Sequence, residues 1–324
     1  MDQGNRVRNR GDSIFMFLFF RLCTSISLCK ELNQNINNDF VGKGLVEGCE
    51  FRRTTTYNSD GGSIYISGIK VDLIVILCNF WNCIASGYGG AIYFNSDQVF
   101  INKVCGYQCY STSKEYQFAY LKTLSTMNNV VELFSISSCP PDMNNAKYSS
   151  FELYSGIQSA LYVNSTRNFL TQFSGMSFMY PETNQCKFSL VAHCLDYYTS
   201  TVFGWGGNGL RIYSYTSIIN NTQNTQNHGI VTIWSDYNCE FSNSVLSENG
   251  VTLFRSLATC VVRDCIINHD SNKIGISLST GNQIFTQLAI TRIQYVYQCG
   301  LKEFSFSIKP NRSIFFLFCH VFIN

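Results

Sequence analysis

The sequence predicts an all-β chain wound as a parallel β-helix, a solenoid of roughly ten coils of about 21–29 residues each. Three observations lead there. The hexad GGSIYI at Gly61–Ile66 returns 28 residues later as GGAIYF at Gly89–Phe94. Aromatic residues make up 15% of the 324-residue chain and charged residues only 14%, against ~25% charged in an ordinary globular domain. Short apolar-alternating runs recur between Gly- and Asn-rich turns, and no 10–15-residue segment with helical period separates them.

The chain divides into an N-terminal segment 1–39, a repeat domain 40–300 and a C-terminal segment 301–324. Arg6, Arg8 and Arg10 precede an apolar run from Ile14 to Phe20 that Arg21 interrupts. A basic stretch before a short apolar core is the outline of a secretory signal, and a terminal strand is the other reading. At the other end, the apolar stretch from Ile314 is about ten residues long, half of the ~20 that a spanning helix needs. It reads as a last strand or as the start of something longer. No spanning helix is expected.

Within 40–300 the repeat can be followed by register. Cys49-x-Phe51 and Cys78-x-Phe80 stand ahead of the two glycine pairs, and Cys105 follows 27 residues after Cys78. Later, Cys239 and Cys260 are 21 residues apart, Val245 and Ile266 keep the same offset, and His228–Trp234 aligns with Asn249–Phe254 at 21. The stretch from Ser111 to Met179 is the least regular. Strands are expected at 64–66, 73–77, 92–94, 99–101, 230–234, 251–254 and 274–278. In such a stack, equivalent side chains lie above one another ~4.8 Å apart, so Gly61 should neighbour Gly89, and Cys239 should neighbour Cys260. Turns should carry Gly or Asn at fixed places, because these tolerate positive φ. A propeller blade of ~40–50 residues fits the period less well.

GGAI at Gly89–Ile92, its near match GGSI at Gly61–Ile64 and the flanking CNFWNC resemble the repeats of polymorphic outer-membrane proteins, chlamydial in type with protozoan relatives. That resemblance implies a right-handed parallel β-helix, pectate-lyase-like in architecture. It implies a surface or secreted role in adhesion or host contact, with no catalytic residues to carry over. The family's F-x-x-N is replaced here by F-x-N, at Phe80–Asn82, Phe100–Asn102 and Phe241–Asn243.

The chemistry-bearing residues point the same way. Net charge is +2, with no basic stripe of the kind nucleic acid requires, so no nucleic-acid partner is expected. The fifteen cysteines include the pairs Cys78/Cys83, Cys105/Cys109 and Cys260/Cys265, none with zinc or redox spacing. They read as core packing, with disulfides as the alternative in a secreted chain. His193, His228, His269 and His320 are scattered, and His269 falls over Glu248 as a solvated pair. In the 21-residue register Asp264 lies over Asn243, Asp270 over Asn249 and Asp236 ahead of Leu257, so no coil supplies the second acid that glycoside hydrolysis needs. The glycines of GWGGNG (Gly204–Gly209) lack the Lys-Ser/Thr of a phosphate loop and read as turns. Asn164, Asn220 and Asn311 head N-x-S/T triplets. No catalytic, cofactor-binding or metal residue is assigned, and no cofactor is expected.

Two functions follow. The first is a non-catalytic surface or secreted protein that binds glycans or host or partner surface proteins, with Trp81, Trp205 and Trp234 as candidate sugar-stacking residues. The second is a polysaccharide lyase or glycosidase on the same scaffold. Extracellular or cell-surface location is expected, and a truncated cytoplasmic product is the other possibility.

Overall fold

The computed structural model describes strands Thr24–Ser27 and Ile36–Asn38 and then residues 42–285, apart from 69, 113–115, 143–147, 225–227, 235–237, 251, 257–258 and 279–280. The segment 14–20, the C-terminal segment 301–324, Asp236, Leu257, Asn311 and His320 lie outside the described residues.

Alternating apolar residues in short runs form strands that point one side chain inward and the next outward. Here no single coil can bury its inward face, and the strands pair in parallel with those one winding away. The result is a β-solenoid built from a seventeen-strand sheet, a nine-strand sheet and two three-strand sheets. The nine-strand sheet takes one strand per winding, slightly fewer than the roughly ten coils expected. Its outward row reads Tyr65, Tyr93, Tyr120, Glu152, Ser177, Phe203, Thr232 and Arg255. The stretch that looked least regular is therefore in register too. The irregularity is one long coil of 32 residues between Tyr120 and Glu152.

The repeat letters have direct physical causes. The Gly61 amide donates to the Tyr88 carbonyl and that of Gly62 to the Gly89 carbonyl, so the two glycine pairs are neighbours in the stack. Gly61 and Gly89 both have positive φ, 64° and 65°. A Cβ on Gly62 would overlap the carbonyl oxygen of Gly90. In the next coil Tyr116 takes the same left-handed conformation at φ 63°, so the doublet marks two coils rather than a rule for all. Cys49-x-Phe51 and Cys78-x-Phe80 stack in register, with ring centroids 4.7 Å apart and planes within 4°.

Three sequence expectations need correction. Cys105 pairs with Asn79, so Val104 occupies the rung above Cys78, and Cys105 falls on the other face of the strand. Strand Val231–Trp234 pairs with Phe254–Ser256 at an offset of 23, because the coil moves two residues between its two sheets while keeping Cys239 opposite Cys260. A two-residue shift preserves which side chains face inward. At 274–278 no strand forms: the Ser271–Lys273 3₁₀ turn and Gly275 at φ 87° end the ladder at Ile274.

Turn chemistry also differs from expectation. The large sheet bends twice per coil, each time through one left-handed residue. The first bend runs Leu77, Lys103, Leu133, Tyr162, Phe188, Tyr215, Asn243, Asp264; the second runs Arg53, Asn82, Gln108, Ser138, Arg167, His193, Asn220, Glu248, all at φ between 47° and 56°. Most are neither Gly nor Asn. A left-handed L-residue costs about 1–2 kcal/mol, and the fold tolerates it because the next coil satisfies each bend's amide: Leu77 N–H to Asn102, Asn82 N–H to Tyr107, Arg167 N–H to Ala192. Two of the F-x-N matches now make sense. Phe80 and Phe241 point into the core while Asn82 and Asn243 turn the bend. In the third, Phe100 faces outward.

One residue past each bend lies a ladder of small polar and sulfur side chains. Past the second it runs Cys83, Cys109, Cys139, Asn168, then Cys194, Asn221, Asn249, each buried. Cys109, Cys139, Asn168, Asn221 and Asn249 accept from the amide one coil before: for example Cys83 N–H to Cys109 Sγ at 3.4 Å, Cys139 N–H to Asn168 Oδ1 at 2.9 Å and Cys194 N–H to Asn221 Oδ1 at 2.9 Å. Asn and Cys alternate because either supplies a compact inward acceptor.

The core is continuous apolar packing with one polar row running through it. Asn129, Gln158, Asn184 and Arg211 stand at one inward register and are buried. Three of the four reach across to carbonyls at the ends of the nine-strand sheet: Asn129 Nδ2 to Leu121 O at 2.8 Å, Gln158 Nε2 to Leu153 O at 2.9 Å, Arg211 to the carbonyls of Phe178 and Gly206, whereas the Asn184 amide is buried with no hydrogen-bond partner among the described residues. Space for the guanidinium comes from Gly204, which holds the rung occupied by Phe178 below and Ile233 above; a Cβ there would lie 2.8 Å from Arg211 Nη1.

Two stability predictions follow from the turns. Gly62→Ala is expected to lower unfolding free energy by about 2–3 kcal/mol by overpacking. Gly48→Ala, at φ 64° with open space around the added Cβ, should lose only about 1–2 kcal/mol; urea titration of the two variants checks the order. In the inner ladder, Asn221→Ala strands the Cys194 amide and should lose about 1–3 kcal/mol. Asn221→Cys, which the ladder uses one coil away, should retain most of the wild-type urea midpoint.

Candidate functional site

The outward side of the nine-strand sheet carries a continuous aromatic face. Tyr65 and Tyr93 occupy the fifth position of the two glycine hexads, between inward Ile64 and Ile66 and between Ile92 and Phe94, and Tyr120 follows in the next coil. Alternation turns all three outward, and parallel register stacks them. Tyr65–Tyr93 centroids are 5.2 Å apart at 11°, and Tyr93–Tyr120 are 5.6 Å apart at 27°. Tyr88 and Tyr116, from the turns leading into the sheet, pack on this row at 5.8 and 4.5 Å from Tyr120.

The face continues on the second outward row. Tyr154 lies 6.0 Å from Tyr120, with Lys122 Nζ 5.4 Å above its ring. Tyr180 lies 5.3 Å from Tyr154. Trp205 and Trp234 stand in register on adjacent coils, 5.4 Å apart at 69°, with His228 5.1 Å from Trp234. Tyr180 is 44% exposed and Trp205 40%. The tyrosine rings spend their faces on one another and show their edges. The tilted rings at Tyr180 and Trp205 leave more surface open.

Burial keeps the phenols of this face neutral. Burial, and then nearby Asp60, raise the Tyr93 phenol above its ordinary value. Burial and then Glu152 push Tyr120 well up, and burial, Tyr180 and Glu152 raise Tyr154. The phenols therefore remain hydrogen-bond donors at neutral pH. Glu152 is buried in the outward row, where Ser177 Oγ donates to its Oε2 at 2.9 Å.

The sequence candidates distribute as follows. Trp205 and Trp234 belong to the aromatic face, whereas Trp81 lies on the large sheet against Tyr107, 5.0 Å away. Cys78, Cys83, Cys109 and Cys265 are buried in the core. Cys260 is joined to Cys239 by a disulfide with Cα atoms 4.7 Å apart, and Cys105 is disulfide-bonded too, so bridges coexist with packed thiols. Burial raises the thiols of Cys83 and Cys109, and pushes Cys194 up to about 12 and Cys186 and Cys265 up to about 11, which leaves these five unreactive. His269 stands beside Glu248 in the stack but is buried, not solvated: the strand brings it under the last coil while Glu248 stays exposed at the bend. Asp264 is exposed at a bend, and Asp270 caps the 3₁₀ turn by accepting from Asn272 N–H. Gly206 and Gly207, at φ 61° and 80°, are turn glycines. Among the described residues, no three His, Cys, Asp or Glu side chains gather where a metal ion could be held, and no helix is long and apolar enough to cross a membrane.

Sequence reading missed three groups. The tyrosine row was legible in the repeated I-Y-[IF] of the hexads. Glu152 and Asp196 were not, because burial of a carboxylate depends on coils 22 or more residues away. Asp196 accepts from the amides of Ser174 at 3.0 Å, Tyr198 at 3.2 Å and Thr199 at 2.7 Å, pinning the loop that leads back to the nine-strand sheet. Asp196 and Glu152 sit on different sheets, and each already serves a neighbouring coil.

No family model matches the chain, and neither a curated protein nor a solved structure matches it.

Burial pushes Asp196 up to about 7 despite the hydrogen bonds that favour its charged form. An acid whose folded value exceeds its unfolded value of about 4 contributes stability fully below pH ~4 and loses it as pH rises toward 7. The unfolding free energy of the wild type is expected to fall between pH 5 and 7.5 relative to that of Asp196→Asn. Parallel denaturant titrations at the two pH values measure the difference.

Proposed function

We propose that this protein is a non-catalytic, surface-exposed or secreted β-solenoid that adheres to glycans through the aromatic face of its nine-strand sheet. The observation that carries the reading is the run of outward aromatic side chains from Tyr65 to Trp234 on successive coils. Aromatic rings with a polar edge combine an apolar body with a hydrogen-bonding tip, and rings tilted into solvent offer a surface for the apolar face of a sugar. An elongated stack sets such rings on several windings, Tyr65, Tyr93, Tyr120, Tyr154, Trp205 and Trp234 among them, which suits an extended polysaccharide lying along the axis.

The GGAI-repeat resemblance supports the same assignment and adds the polymorphic outer-membrane type, with host or partner surface proteins as further ligands. An extracellular or cell-surface location belongs to this reading. The non-catalytic reading is favoured by the engagement of both buried carboxylates in the stack, Glu152 by Ser177 Oγ and Asp196 by the amides of Ser174, Tyr198 and Thr199.

Affinity for soluble polysaccharides, screened by glycan array and measured by calorimetry, tests the proposal. Tyr180→Ala and Trp205→Ala are each expected to weaken binding about tenfold, equivalent to ~1.4 kcal/mol, with unchanged unfolding midpoints. Trp81→Ala, on the other sheet, should leave affinity unchanged. A protein that binds no glycan, or binds equally after both face substitutions, removes the reading.

A further inference from the structure

We infer that Asn220 is an N-glycosylation acceptor compatible with the folded solenoid, and that Asn164, which heads the other described N-x-S/T triplet, is not. The inference rests on the secretory reading above, because the modification occurs only in a secretory compartment. What distinguishes the two sites is their place in the coil.

Asn220 is the left-handed residue of the second bend, at φ 51°, and is exposed. The next residue, Asn221, is fully buried in the inner ladder, where its Oδ1 accepts from Cys194 N–H and its Nδ2 donates to Val191 O at 3.0 Å. Thr222 comes out again and is exposed. The bend thus anchors the middle of the triplet and presents Asn220 and Thr222 together to solvent. Along the bend, Asn220 is flanked by His193 and Glu248, and Glu248 is exposed. Asn220 Nδ2 lies 2.9 Å from His193 Nδ1. A glycosylated amide keeps one N–H, so that hydrogen bond survives the modification.

Asn164 lies inside the ten-residue strand Ile157–Thr166, paired with Ser135 on one side and Leu190 on the other. It is only 9% exposed. It alternates with the inward Val163 and Ser165, so it belongs to the outer row of the large sheet, yet it is covered there, and a sugar chain on its amide would have to displace the atoms that cover it. Transfer precedes folding, so a chain modified there would be unable to close its stack.

The donor is an oligosaccharide carried on a lipid pyrophosphate. The Asn220 Nδ2 forms a bond to the anomeric carbon of the first sugar and loses a proton. The carbon–oxygen bond to the pyrophosphate breaks, and the lipid pyrophosphate leaves with that electron pair. No oxidant or reductant is involved.

The full chain, fused behind a cleavable secretory leader and expressed in eukaryotic cells, tests this apart from its native targeting. Because the leader supplies entry, failure of the native route cannot imitate failure of the site. Protein recovered from the secretory pathway is treated with peptide N-glycosidase in ¹⁸O-water and mapped by peptide mass spectrometry. The expected result is the ¹⁸O-aspartate label at position 220 and unmodified Asn164. Thr222→Val should lose the label at 220, and Thr222→Ser should keep it; both leave Asn220 and the inner ladder in place. Unmodified Asn220, or a label at position 164 in protease-resistant folded protein, overturns the inference.

Discussion

Parallel, in-register hydrogen bonding between successive coils is the constraint on which this structure depends. No coil has a core of its own, and its backbone donors and acceptors outside the strands are met by the winding beside it. This explains how eight successive coils can each hold two bends in the left-handed region with residues as bulky as Tyr162, Phe188 and Tyr215. An isolated chain would abandon such conformations; a stack over-determines them.

The same constraint organises the interior. A position in a coil is one rung of a column, so any polar residue placed there meets the same environment as its neighbours. The Cys/Asn ladder past the second bend and the Asn129–Arg211 row are two such columns. One supplies acceptors for amides at the bend and the other supplies donors for carbonyls at the corner between sheets. Arg211 is the extreme case, a buried guanidinium whose described partners are carbonyls, with burial lowering its pKa. Its placement is inseparable from Gly204, which leaves out the side chain that the column otherwise carries there.

Stacking also gives the molecule distinct sides. Aromatic residues on the outer face of the nine-strand sheet reinforce one another because each coil sets a ring against the next. A second stack, Tyr162–Phe188–Tyr215, runs along the first bend with centroids 5.1 and 5.0 Å apart. The second bend is polar, holding Arg167, His193, Asn220 and Glu248. A ligand that favours aromatic surface and a modification that needs a solvated edge are thus directed to different parts of the coil.

Composition, the repeated hexads and the apolar alternation determined by themselves that the chain is a parallel solenoid, that Gly61 and Gly89 adjoin, and that Cys239 faces Cys260. Those properties depend only on period and on the two-residue alternation of strands, which are written in the order of residues. Only the tertiary structure decided that Cys105 leaves the column of Cys78, and that Glu152, Asp196 and Arg211 are buried. Each of those outcomes turns on insertions of one or two residues per coil and on volumes contributed by windings 20 to 30 residues away. Such sums of small offsets become definite only when the coils are laid on one another.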